Sequence, residues 1–234
     1  MSFNTKKEFN TVESLSFTQS ELKSTLVFAS TNEVPRILHY MVLGDSPPPD
    51  MLEMVRVNMD RVSSLGFAVK LWRDEDVHKL VLNHGDPDLL KAWTYVLSDP
   101  NKSRLARMAN FMRPLIIYTM GGVYLDADMV PCDGVDYLVD MPGVVSIPFK
   151  NQGPGDFEVN AAAMSAPPHH RLMELALEYF KGLGSEIGTL NNLDAAGPKA
   201  FAIIADRYFK ELGLNLPSIS EGLIYMKVCL LFLE

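Results

Sequence analysis

The sequence predicts an α/β fold in which a mostly parallel central sheet is flanked by helices. Three observations carry this. Short apolar runs of strand length alternate with stretches whose apolar residues recur at helical spacing. Glycine or proline marks most of the junctions between them. The 234 residues, 47% apolar and 21% charged, suit one sizeable core, so residues 1–234 read as a single domain with a polar lead-in at 1–32.

Residues 34–42 form the first apolar run and end at Gly44, and the prolines at 47–49 make a loop. From Asp50, Val55, Met59, Val62 and Leu65 fall on one helical face, and Gly66 closes it. Residues 67–72 alternate as a strand, and the acidic start at 74–76 opens a second helix. Pro87 suits the first turn of a third helix to Leu97. Ser103 precedes a longer one reaching Met120, stopped by Gly121 and Gly122, and 123–125 enters as a strand. Strands are expected at 144–149 and 157–164. Helices follow at 172–183, ending in Gly184, and from Pro198 to Leu212, closed by Gly213.

Acidic residues outnumber basic ones 29 to 21 and no Lys/Arg cluster occurs, so no nucleic-acid partner is expected. Cys132 and Cys229 lie far apart and outside any CxxC pair, which fits reduced thiols. The N-terminal stretch lacks a signal-like apolar core, and the apolar run 222–233 contains Lys227 and is too short for the roughly 20 residues a spanning helix needs. The expectation is a soluble, cytoplasmic protein of a bacterial, viral or host cytosol, without a stable membrane anchor; the run 222–233 would be a buried strand or helix.

Residues 121–128 read GGVYLDAD. In a strand, side chains at i and i+2 point the same way, so Asp126 and Asp128 share a face. Two converging carboxylates repel, and Mg²⁺ or Mn²⁺ relieves that repulsion while favouring carboxylate and phosphate oxygens. In a mostly parallel sheet, ligands sit beyond the carboxyl ends of the strands, where this pair falls.

The segment from Ala109-Asn110-Phe111-Met112-Arg113 through Gly121-Gly122-Val123-Tyr124-Leu125-Asp126-Ala127-Asp128 resembles the signature of the DXD-type sugar transferases of glycosyltransferase family 32. That family includes the yeast-type α-1,6-mannosyltransferases and, more distantly, the clostridial glucosylating toxins. Further segments match in order: Val34-Pro35-Arg36-Ile37-Leu38-His39 with its proline loop, Leu71-Trp72-Arg73-Asp74-Glu75, Asn160 leading to Ala166-Pro167-Pro168-His169, and Asp194-Ala195-Ala196-Gly197-Pro198. The resemblance spans about residues 34 to 212.

It implies a GT-A (Rossmann-like) fold and Mn²⁺ or Mg²⁺ as cofactor. It also implies retaining transfer of a hexose from a UDP- or GDP-sugar to a glycan or other hydroxyl acceptor. Asp126 would contact the donor and Asp128 the metal, with Asp126 close enough to share it. Arg113 and Asn110 would hold the sugar hydroxyls, and Arg113 would be the cation stabilising the departing diphosphate. His39, Tyr40, Gly122, Tyr124, Asn160, Asp194 and Gly197 complete the implied donor-binding set, with Tyr40 a candidate for stacking on the base where the family commonly carries Trp. The sequence departs from the family at Asn110, where Asp is usual, and at Pro114, where Tyr is usual. Proline removes the backbone bond to residue 110, so a kink is expected there.

Bland readings stand beside these. His39 is equally a hydrogen-bonded core residue, and 194–198 equally an ordinary cap and turn. Asn160 equally satisfies buried backbone. His169 and His170 suit a helix start, and Trp72 and Trp93 suit packing. Two other functions compete: a non-catalytic sugar or nucleotide-sugar binding module, and a haloacid-dehalogenase-like phosphatase, whose Asp-x-Asp usually opens the chain rather than lying in its middle.

Overall fold

The computed structural model describes residues 33–100, 103–131, 135–140, 145–150, 157–213 and 231–232; residues 137, 140, 145–150, 157–160, 192–193 and 231–232 are described for the backbone alone. The elements in chain order are β1 (Ile37–Met41), α1 (Pro49–Ser64), β2 (Ala68–Trp72), α2 (Asp74–His84), α3 (Pro87–Leu97), α4 (Arg104–Met120), β3 (Gly122–Leu125) and β4 (Met129–Val130). Then come α5 (Tyr137–Asp140), β5 (Val145–Lys150), β6 (Phe157–Ala166), α6 (Arg171–Leu183), a 3₁₀ turn (Gly184–Gly188), α7 (Asn192–Ala195), α8 (Pro198–Glu211) and β7 (Leu231–Phe232).

The main sheet runs β2-β1-β3-β6-β5. β1 is parallel to both β2 and β3, whereas β6 is antiparallel to β3 and to β5, so β6 alone runs against the others. The chain leaves β1 for β2 on one side and returns to β3 on the other. That reversal makes a crevice between the carboxyl ends of β1 and β3, the place where open α/β sheets take ligands.

Strand alternation sends each face to its own core. Met41, Trp72, Tyr124 and Met164 pack with α2, α3, α4, α6 and α8, while Leu38, Tyr40, Val123, Leu125 and Ala163 pack with α1 and α5. Phe111 fixes the rotation of α4: it is fully buried, with ring centroids 5.4 Å from Trp93 and 5.2 Å from Phe180. The helix is continuous across Pro114, whose ring is buried.

The turn from α4 into β3 admits only glycine. Gly121 and Gly122 have φ of +65° and +94°. A β-carbon on Gly122 would lie 2.4 Å from the Ile37 carbonyl oxygen, and one on Gly121 would lie 2.6 Å from Pro168 Cδ. Strand β3 can therefore pair this closely with β1 only because residue 122 has no side chain. Gly122→Ala combines a strained φ with a backbone clash and is expected to cost about 3 kcal/mol or more. Thermal unfolding checks this: a Tm drop on the order of 10 °C is expected, and an unchanged Tm contradicts the close approach.

Candidate active site

Strand β3 ends at Leu125, and the chain then turns instead of continuing extended. The Met129 N–H donates to the Asp126 carbonyl (3.0 Å), closing a turn over residues 126–129, and the Asp126 N–H donates to Ala162 O on β6 (2.8 Å). The extended-strand argument for two carboxylates on one face therefore does not hold. The turn separates their environments: Asp126 faces the protein, whereas Asp128 is exposed and makes no side-chain hydrogen bond or ion pair among the described residues.

Asp126 is gripped from α4 and β3. One terminal nitrogen of Arg113 lies 2.7 Å from Oδ1 and 2.9 Å from Oδ2, and the Tyr124 hydroxyl donates to Oδ1 at 3.0 Å. The Arg113 guanidinium also sits 5.5 Å from the Tyr124 ring centroid. The side chains of Arg113 and Asp126 are 11% and 24% exposed, so the pair is only lightly screened. Burial pushes the Asp126 carboxyl up, with the charge of Asp128 adding to it, against the opposing pull of Arg113 and Tyr124. Burial works against the Arg113 charge, but Asp126 and Tyr124 hold its pKa above the ordinary value.

One polar group beside this pair is unsatisfied, and a second stands next to it. Arg113 Nε is buried without a hydrogen-bond partner. Asn110, one helical turn earlier on the same face, is 7% exposed, and its amide has no partner among the described residues. Buried polar groups are normally satisfied, so Arg113 Nε is a donor left over for a ligand.

The structure places His39 and Tyr40 in the core. His39 is fully buried; its Nε2 donates to Gly121 O (2.9 Å) and its Nδ1 accepts from Trp72 Nε1 (3.1 Å). That pattern needs the neutral ring. Tyr40 is also fully buried, with its hydroxyl unpartnered. As placed, neither side chain offers surface to a ligand, and the core reading of His39 accounts for its contacts.

Burial, opposed by the Gly121 bond and assisted by nearby Lys70, lowers the His39 pKa to about 4. The unfolded chain, with an ordinary histidine pKa of about 6.5, binds the proton first. The contribution is thus fully present above pH 6.5 and is lost as pH falls from there through about 4. The expected loss of about 3 kcal/mol is checked by denaturant titrations at pH 7 and pH 4.5 on the native chain and His39→Gln, whose stability should be less pH-dependent.

Asn160 lies on β6 opposite Ile147 of β5, and its side chain is outside the described residues. Asp194 belongs to a local cap: its N–H donates to Asn191 Oδ1 (3.0 Å), and its carboxylate accepts from the Asn191 amide and lies 3.4 Å from Lys199. Gly197 is the buried N-cap of α8. The short helix α7 packs against α4. Among the other candidates, the His170 ring accepts from Leu172 N–H at the start of α6, and His169 is exposed with φ of 57°. Trp72 and Trp93 are 2% and 1% exposed and donate to His39 and His78, which makes both packing residues.

One polar residue of this region escapes sequence reasoning altogether. Asn58 occupies the buried face of α1 and bonds the end of the turn, donating from its amide to Met129 O at 3.0 Å. The helical stripe at 55, 59 and 62 hid it, since an asparagine between apolar positions reads as solvent-facing.

The donor set fits a divalent cation in one particular way. Among the described residues no three His, Cys, Asp or Glu side chains cluster, and both Asp126 oxygens are engaged. Of the two carboxylates, that of Asp128 has no partner among the described residues and is the one free to ligate. Mg²⁺ and similar ions are commonly held by one or two carboxylates together with substrate phosphates and water, so the site suits an ion that arrives with a phosphorylated ligand.

Residues 31–142 match the family described as the glycosyltransferase sugar-binding region containing a DXD motif. That span holds Asn110, Arg113 and the 126–128 turn, and it supports the family 32-like resemblance of the chain. Among solved structures, the fold is similar to that of the "PaToxG Glycosyltransferase". The TM-score is 0.58 at 12% identity, covering 87% of this chain and 83% of the other; the likeness shows a glycosyltransferase GT-A-like fold. No curated protein matches in sequence. The DXD motif region of residues 31–142 and the GT-A-like fold are thus what the chain shares with glycosyltransferases. No helix among the described residues is long and apolar enough to cross a membrane.

Proposed function

We propose that the chain is a metal-dependent retaining glycosyltransferase that moves a hexose from a UDP- or GDP-sugar to a glycan or other hydroxyl acceptor. The observation that carries this is the unequal pair: Asp126 locked by Arg113 and Tyr124, and Asp128 exposed without a partner among the described residues. Behind it lie the unsatisfied Arg113 Nε and the Asn110 amide, which has no partner among the described residues.

Each group has a task. Asn110 and Arg113 Nε would hydrogen-bond donor hydroxyls, which supply both donors and acceptors. Asp126, already oriented, would accept from a ribose or sugar hydroxyl without reorganising. Asp128 would hold Mn²⁺ or Mg²⁺ against the diphosphate, and the bound ion would supply charge stabilisation to the leaving group. Arg113 adds a fixed positive charge close by. No carboxylate is singled out as a nucleophile, which favours front-face retention; trapping a glycosyl-enzyme adduct would overturn that step. The widely separated cysteines favour a cytosolic setting.

The test is a thermal-shift panel of UDP- and GDP-sugars with and without Mn²⁺, on the native chain and on Asp128→Asn. Ligand at a hundredfold excess over Kd adds about 2.7 kcal/mol. The reading predicts a shift with one donor that needs Mn²⁺ and disappears in the variant, and little shift with Mn²⁺ alone. No shift with any donor contradicts it.

A further inference from the structure

We infer that Asn58 is a positioning residue for Asp128, acting through the backbone of the 126–129 turn; this rests on the proposed metal role of Asp128. Asp128 is exposed and no described side chain orients it. Its direction is therefore set by the backbone on either side. On the upstream side, Asp126 is fixed by Ala162, Arg113 and Tyr124. On the downstream side, the next residue, Met129, is 1% exposed, and its carbonyl accepts from Asn58 Nδ2 at 3.0 Å. Met129 also pairs with Phe232 of β7.

Asn58 is an odd choice unless this bond matters. It is 2% exposed and sits with Val55 and Val62 as the buried residues of α1, where an apolar side chain of similar size packs without any desolvation cost. Asparagine is also a weaker helix former than leucine. A buried amide in a helix interior is tolerated when it is hydrogen-bonded, and here its partner is the residue that follows the exposed carboxylate. Outer groups that orient metal ligands typically change metal affinity 10- to 100-fold when removed.

The test compares the full chain with Asn58→Leu, which keeps the volume, Asn58→Ala, which removes the amide without added bulk, and Val62→Ala. Val62 is fully buried on the same helix, so its truncation loosens α1 while leaving the Asn58 bond intact. Amide hydrogen exchange reads the turn without any metal. The Asp126 and Met129 amides should exchange about tenfold faster in the Asn58 variants, while that of Ala68, which donates to Arg36 O at the start of β2, matches Val62→Ala. Electron paramagnetic titration of Mn²⁺ with UDP or GDP should show about tenfold weaker binding in the Asn58 variants than in Val62→Ala.

Equal exchange at the turn in all three variants, or undiminished Mn²⁺ affinity in the Asn58 variants, overturns the inference. A native chain that binds no Mn²⁺ with either nucleotide defeats the metal reading instead. Exchange at the turn then judges the hold of Asn58 on its own.

Discussion

Asp128→Asn is expected to lower kcat/KM for sugar transfer by about a thousandfold, the scale of losing a group that stabilises developing charge in the transition state. The fold should not notice. Asp128 is exposed and without a side-chain partner among the described residues, and substitutions at such sites stay within roughly 0.5 kcal/mol. Activity and stability thus separate cleanly at this residue. Steady-state kinetics beside a thermal melt is the check: a variant equally inactive but several degrees less stable assigns Asp128 a structural part that its exposure argues against.

Asp126→Asn should hurt both properties. Its partner Arg113 is 11% exposed, and removing the counter-ion strands a buried positive charge. Breaking a buried pair this way costs about 3 kcal/mol or more. The amide can still accept from Tyr124, so the loss reports the charge rather than the hydrogen bond. Asn110→Asp, added to that variant, puts a carboxylate back on the same helical face as Arg113 and should recover about 1 kcal/mol or more. Denaturant unfolding of the four chains in this cycle measures the coupling, and strict additivity would mean that residue 110 does not sense Arg113.

Much of the fold was legible because its signals are local. Pro87 in the first turn of α3 and the glycines after α1 and α6 fall where sequence reasoning put the boundaries, whereas Pro49, read as loop, is the first residue of α1. The reversed direction of β6 was not legible, since strand orientation depends on non-local pairing. At the site, Asp126 and Asp128 were singled out by their spacing and Asn110 and Arg113 by the family resemblance, but the period-two argument failed where β3 stops at Leu125 and a turn begins. His39 shows the opposite limit. Its role depends on Trp72 and Gly121, distant in sequence and close in space, and only the assembled sheet distinguishes a core histidine from a ligand contact. The strand Leu231–Phe232 lies within the apolar run 222–233 expected to be a buried element; the remainder of that run lies outside the described residues.

The most direct measurement of the central claim is turnover. The chain would be incubated with a panel of UDP- and GDP-hexoses, with and without Mn²⁺, and released nucleoside diphosphate followed over time. The account predicts steady release from one donor, dependent on the cation and abolished in Asp128→Asn. Tight donor binding without release, in the presence of cation and varied hydroxyl acceptors, would contradict it and leave a nucleotide-sugar binding module on a glycosyltransferase fold.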